Sequence, residues 1–116
     1  ENERIDVEDP YVWWNGEKYE AIIKDRSGEI CGEEGGGIHV WSDDGVNWQL
    51  FDKVKAYSRE VLWDDGTITH QNHFERPFLL IEDGVPTPLF AATGVGPKAW
   101  SFDKTWNMVI PLKADW

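Results

Sequence analysis

Short apolar runs broken by turn dipeptides constrain this chain more than any other feature. Asn15-Gly16, Asp44-Gly45 and Asp83-Gly84 each follow a run whose apolar residues recur near period two. Such dipeptides favour the left-handed backbone of tight hairpins, and period two is the spacing of strands. The expected strands are Tyr11 to Trp14, Tyr19 to Ile23, Ile38 to Ser42, Asn47 to Phe51, Phe78 to Ile81 and Leu89 to Ala92, with Trp100-Ser101 opening another and Trp106 to Pro111 closing. Arg26 to Gly37 reads as a Gly- and Glu-rich loop. The stretch around Val54 to Leu62 is the one candidate helix. The expected class is all-β.

The two halves of the chain can be laid over one another. Pro10 then falls on Pro77, Asn15-Gly16 on Asp83-Gly84, Trp41-Ser42 on Trp100-Ser101, Asp44 on Asp103 and Trp48 on Trp106. Two Trp anchors at nearly the same spacing point to a repeat of four short strands, the unit of a β-propeller blade. The expectation is one domain, 1–116, of two blade-like units, 1–53 and 75–116, joined by a segment 54–74. Two blades do not close a ring, which takes about four to eight. A fragment of a larger propeller, or a homo-oligomeric assembly, is therefore expected.

With 116 residues, 14% of them aromatic and eight of them Trp, the chain has the bulk for one core. Eleven basic against 22 acidic residues give a net charge of −11, which speaks against nucleic acid or an anionic membrane as partner. Cys31 is the only cysteine, so neither an intrachain disulfide nor a thiolate metal cluster can form. No residue is assigned as a metal ligand, although three His among many acids leave room for a structural divalent cation such as calcium.

Chemistry is expected where acids meet prolines. Asp9 precedes Pro10 and Glu75 lies two residues before Pro77, each at the mouth of an apolar strand. Two carboxylates delivered by similar units to one place are what acid/base work on a sugar bond requires. His70, His73 and Arg76 lie close to Glu75 in sequence, and His39 starts a strand of the first unit. Trp13, Trp14 and Trp63 are candidate platforms for the apolar faces of sugars, whereas Trp41, Trp48, Trp100 and Trp106 read as blade packing.

These motifs carry a resemblance. DPYVWWNGEKYEAIIKD resembles the Asp-Pro strand of the five-bladed propeller glycosidases, glycoside hydrolase family 43 and relatives such as family 117. FERPFLLIEDGVPTPLFAATG resembles their Glu-x-Pro strand, WSDDGVNWQLF their outer hairpin, and TWNMVIPLK a segment near the end of bacterial relatives. The resemblance implies an inverting mechanism with three carboxylates. Asp9 takes the place of the Asp that tunes and orients the acid, and Glu75 that of the general acid. His73 or His70 is the alternative acid, as in the family 117 branch. His39, His70, Arg76, Trp13 and Trp14 would line the site and bind carbohydrate, with no cofactor needed. The general base would belong to a blade before Asp9, and only eight residues precede it. A non-catalytic carbohydrate-binding or interaction module is the alternative. The resemblance favours a periplasmic or extracellular setting.

Overall fold

The computed structural model describes residues 6–95 and 103–112. Nine strands form three antiparallel sheets, and no helix occurs among the described residues. The first sheet runs in the order β1 (Val7–Trp14), β2 (Tyr19–Asp25), β3 (Gly36–Ser42) and β4 (Gln49–Tyr57). A small hairpin, β5 (Glu60–Leu62) and β6 (Ile68–His70), follows. The last sheet runs β7 (His73–Glu82), β8 (Val85–Val95) and β9 (Lys104–Pro111). The all-β expectation therefore holds.

Three local expectations change. The stretch from Val54 is strand, not helix: β4 carries the first sheet past residue 53 to Tyr57, and Glu60 to Leu62 is β5. Cross-strand pairing with β3 decides this where local pattern did not. The segment 54–74 is thus partly sheet and partly a hairpin rather than a plain connection. Trp106 also takes a different place in the repeat. It lies in β9 opposite Thr93, whereas Trp48 stands before β4 begins, so the two are not equivalent. Trp100 and Ser101 lie outside the described residues.

Strand register gives the correct superposition. Glu8 pairs with Lys24 and Tyr11 with Ile22, with a bulge between; Glu75 pairs with Ala92 and Phe78 with Phe90, again with a bulge between. Each bulge contains the proline and the residue before it, Asp9 or Arg76, both with positive φ (57° and 49°). Proline disfavours helical geometry in the residue before it, so a left-handed backbone at both places is stored strain held by the surrounding sheet. Pro10 and Pro77 are therefore equivalent, as expected. The same register sets Glu8 level with Glu75, and Asp9 level with Arg76.

The two large sheets stack face to face. Trp13, Ile22 and Tyr57 of the first sheet pack with Leu79, Leu89, Ala91 and Met108 of the last, and Phe74 is wholly buried between them. The Tyr11 hydroxyl donates to the Leu79 carbonyl at 3.1 Å, linking the sheets at β1 and β7. Burial of these side chains away from water is the main stabilising contribution, about 1.5–3 kcal/mol for each large one. A second cluster, Ala21, Ile38 and Val40, lies on the other face of the first sheet, with Ile30 and Cys31 of the loop packed against it.

That loop is organised by Asp25. Its buried carboxylate accepts from the backbone N–H groups of Gly28, Ile30 and Cys31 at 3.1, 2.9 and 2.8 Å. Gly28 has φ 82°, and an added Cβ would lie 2.5 Å from the Glu34 nitrogen, so only glycine fits. The hairpin β5–β6 is tied in by a polar chain. Trp63 Nε1 donates to Thr69 Oγ1, Thr69 to Gln71 Oε1, Gln71 Nε2 to Thr93 Oγ1, and Thr93 to the His73 carbonyl. Gln71 and Thr93 are almost fully buried, and this chain satisfies them.

Candidate functional site

The paired bulges bring three carboxylates together. Glu8, Asp9 and Glu75 each offer an oxygen, and these oxygens lie within 4.8 Å of one another. Asp9 and Glu75, the two acids singled out in the sequence, are thus adjacent. Asp9 acts through the backbone: its Oδ2 accepts from the Arg76 N–H at 3.0 Å, which clamps the peptide next to Glu75. The Arg76 side chain is exposed.

Lys24 joins the cluster and was not foreseen. Its ammonium donates to Glu8 Oε2 at 3.0 Å and to Glu75 Oε2 at 2.7 Å, with only 3% of its side chain exposed. The sequence held the signal, since Lys24 falls among apolar residues on a buried strand, where a lone cation must be paired. Arg26 extends the network, with Nη1 3.2 Å from Asp6 Oδ1 and Nε 3.6 Å from Glu8 Oε1. An open polar cleft of about 450 Å³ runs past Asp6, Glu8, Lys24, Arg26, Glu34 and Glu75.

His73 also reaches Glu75, with Nδ1 3.5 Å from Oε1. Burial holds its pKa below the ordinary 6.5, the Lys24 and Arg59 cations act in the same sense, and Glu75 opposes them. Of the histidines named in the sequence, His73 alone is brought to the carboxylates. His70 stands exposed at the end of β6, opposite Glu60. His39 is buried, with Nε2 2.7 Å from Glu20 Oε1 and its ring stacked 4.1 Å from Phe51 and 5.9 Å from Trp13. It packs within the first sheet.

The aromatic residues take different places. Trp13 is core. Trp63 packs against the core and is tied to Thr69. Trp14 is exposed on the outer face of the first sheet, edge-on to Tyr19 at 4.9 Å. Trp48 and Trp106, read as packing residues, keep over a third of their surface exposed. Trp41 carries the Lys18 ammonium 4.4 Å above its ring.

Tyr57 is the second residue missed by sequence. Its ring lies so close over Gly37 that an added Cβ would sit 2.0 Å from it. Burial, then the charges of Asp9 and Glu75, hold its phenol far above the ordinary value of 10, so the hydroxyl keeps its proton. The hydroxyl is buried, and it has no hydrogen-bond partner among the described residues. A buried donor without an acceptor costs about 1–3 kcal/mol.

The trio Glu8, Asp9 and Glu75 has the donor types of a hard-cation site. The Lys24 ammonium lies against two of the three and already supplies positive charge there. No helix among the described residues is long and apolar enough to cross a membrane.

No family model, curated protein or solved structure matches this chain.

Proposed function

We propose that this chain supplies the acid side of a site that binds carbohydrate and cleaves glycosidic bonds, built on two stacked blade-like sheets of propeller type. The observation that carries the reading is the meeting of Asp9 and Glu75 from two register-equivalent bulges, beside a polar cleft. The adjacency of β1 and β7, each the first strand of its sheet, supports the blade reading.

In this reading Glu75 protonates the leaving oxygen. Its Oε2 is engaged by Lys24, so Oε1, beside His73, is the atom that carries the proton. Asp9 orients the segment through the Arg76 N–H. The water-activating base belongs to a further carboxylate. An inverting site needs its acid and base about 6.5–9.5 Å apart, and the trio is closer than that. The base therefore comes from a neighbouring copy or another segment.

A second reading has one observation in its favour. Lys24 pins both Glu8 and Glu75, as suits a rigid sugar-binding surface without turnover. Calorimetry with short xylo- and arabino-oligosaccharides, run beside turnover of aryl xylosides and arabinofuranosides, tests both. Binding that is lost in Glu75→Gln, with turnover appearing once azide is added as an external nucleophile, is the expected result. Binding without turnover even with azide selects the non-catalytic module. No binding to any of these sugars overturns both.

A further inference from the structure

The last sheet is apolar on both faces. Its inner face, Leu79, Leu89, Ala91 and Met108, is in the core. Its outer face carries Phe78, Phe90 and Val109 in one cross-strand row, with Leu80 beside them. Phe78, Leu80 and Val109 each keep about half of their surface exposed. Phe78 and Phe90 stack at 4.8 Å with their planes 5° apart, and they wall a hollow of about 350 Å³ with Ala92 and Asn107. Such a face on a three-stranded sheet is a surface to be covered.

Register identifies what covers it. Phe78, one residue after Pro77, is level with Tyr11, one residue after Pro10; Leu80 is level with Trp13, Phe90 with Ile22, and Val109 with His39. Tyr11, Trp13 and Ile22 are the residues through which the first sheet packs on the last. The outer face of the last sheet is thus the counterpart of a face already used within the chain. The surface that face meets, Leu79, Leu89, Ala91 and Met108, has its own counterpart in Val12, Ala21, Ile23 and Ile38 of the first sheet, of which Ala21 and Ile38 lie under Ile30 and Cys31 of the loop. On that outer side Val12, Trp14 and Leu50 are exposed.

We propose that a second copy of this chain docks its first sheet, by the face carrying Val12, Trp14 and Leu50, onto the Phe78–Phe90–Val109 face, continuing the stacking of sheets found within one chain. Within the chain Tyr11 meets Leu79. Across copies Phe78 meets the partner's Val12. The contact joins two different faces, so it is heterologous and leaves one free face of each kind on a pair of copies; it propagates into a ring or an open array.

Two single variants and their mixture test this. Phe78→Asp and Val12→Asp each change one exposed residue on one face, and near-UV circular dichroism checks that both keep packed aromatics. By sedimentation, the wild-type chain should run as assemblies above the 13.4 kDa monomer. Each variant alone should run as the monomer. The two mixed should give a 1:1 pair and nothing larger, because each retains the face that the other lost. A monomeric wild type overturns the proposal. So does Val12→Asp leaving the assembly intact, the result expected if two Phe78 faces met each other. A mixture that stays monomeric overturns it as well.

Discussion

Lys24 Nζ lies 2.7 Å from Glu75 Oε2, and this one ion pair ties the first sheet to the last at the carboxylate cluster. The same ammonium holds Glu8, the residue level with Glu75 in strand register, at 3.0 Å. A single buried cation therefore neutralises the equivalent carboxylate from both sheets. The arrangement is asymmetric, because the position level with Lys24 in the last sheet is Ala92. One lysine serves both sheets.

Lys24→Met leaves Glu8 and Glu75 facing each other without the cation. Both glutamates reach solvent in part, so the cost is below that of a fully buried pair, about 2–3 kcal/mol. Urea unfolding should show this as a lower midpoint with an unchanged slope. In a cycle with Glu75→Gln, the two changes should be non-additive by about 0.5–3 kcal/mol, because they share the interaction. Additive effects would mean that the pair carries no coupling.

Gly37→Ala forces a methyl group into the Tyr57 ring, which has packed chain behind it and cannot swing aside. Overpacking of this kind costs about 1–3 kcal/mol. The variant should therefore lower the thermal midpoint. Tyr57→Phe removes the unpartnered hydroxyl and should leave stability unchanged or raised. A lower midpoint in Tyr57→Phe would contradict this account of the hydroxyl.

Stability should fall on mild acidification. His39 and His73 both have folded pKa values below the ordinary 6.5, burial being the main cause in each. The unfolded chain then binds more protons than the folded one, so stability is full above about 6.5 and is lost as the pH falls below it. Glu33 adds a second loss at lower pH. Burial raises its pKa, but hydrogen bonds from Lys55, Ser58 and Arg59 outweigh this and hold it below the ordinary 4.5. Its contribution is present above 4.5 and disappears as the pH falls through the folded value. Denaturation midpoints measured between pH 8 and pH 4 should show the first decline beginning near 6.5 and shrinking in His39→Phe. A flat profile down to pH 5 would contradict the assignment.

Legibility in the sequence followed the range of the interactions. Turn dipeptides and period-two runs are local, and the hairpins they mark are present. The prolines are local too, and the equivalence of Pro10 and Pro77 survives in the register. The Trp equivalences do not, because spacing along the chain is insensitive to a strand changing its partner: Trp106 sits opposite Thr93, whereas Trp48 lies outside any strand. The convergence of Asp9 and Glu75 was readable because both sit at marked bulges. Tyr57 was not, because its role exists only once the sheets stack; for Lys24 the sequence marks a cation on a buried strand, and its partners Glu8 and Glu75 come with the stacking. The burial of His39 and Trp13 was not legible for the same reason: a polar or aromatic residue on a strand can face core or solvent, and the stacking partner decides which.

The most direct test of the account is a titration of the isotope-labelled chain with a neutral xylo- or arabino-oligosaccharide, read by the shifts of backbone amides. The account predicts shifts that saturate and cluster at Glu8, Lys24, Glu75 and Arg76, and that vanish in Glu75→Gln. Shifts confined to Trp14 and Tyr19 on the outer face of the first sheet, or none at all, would contradict it.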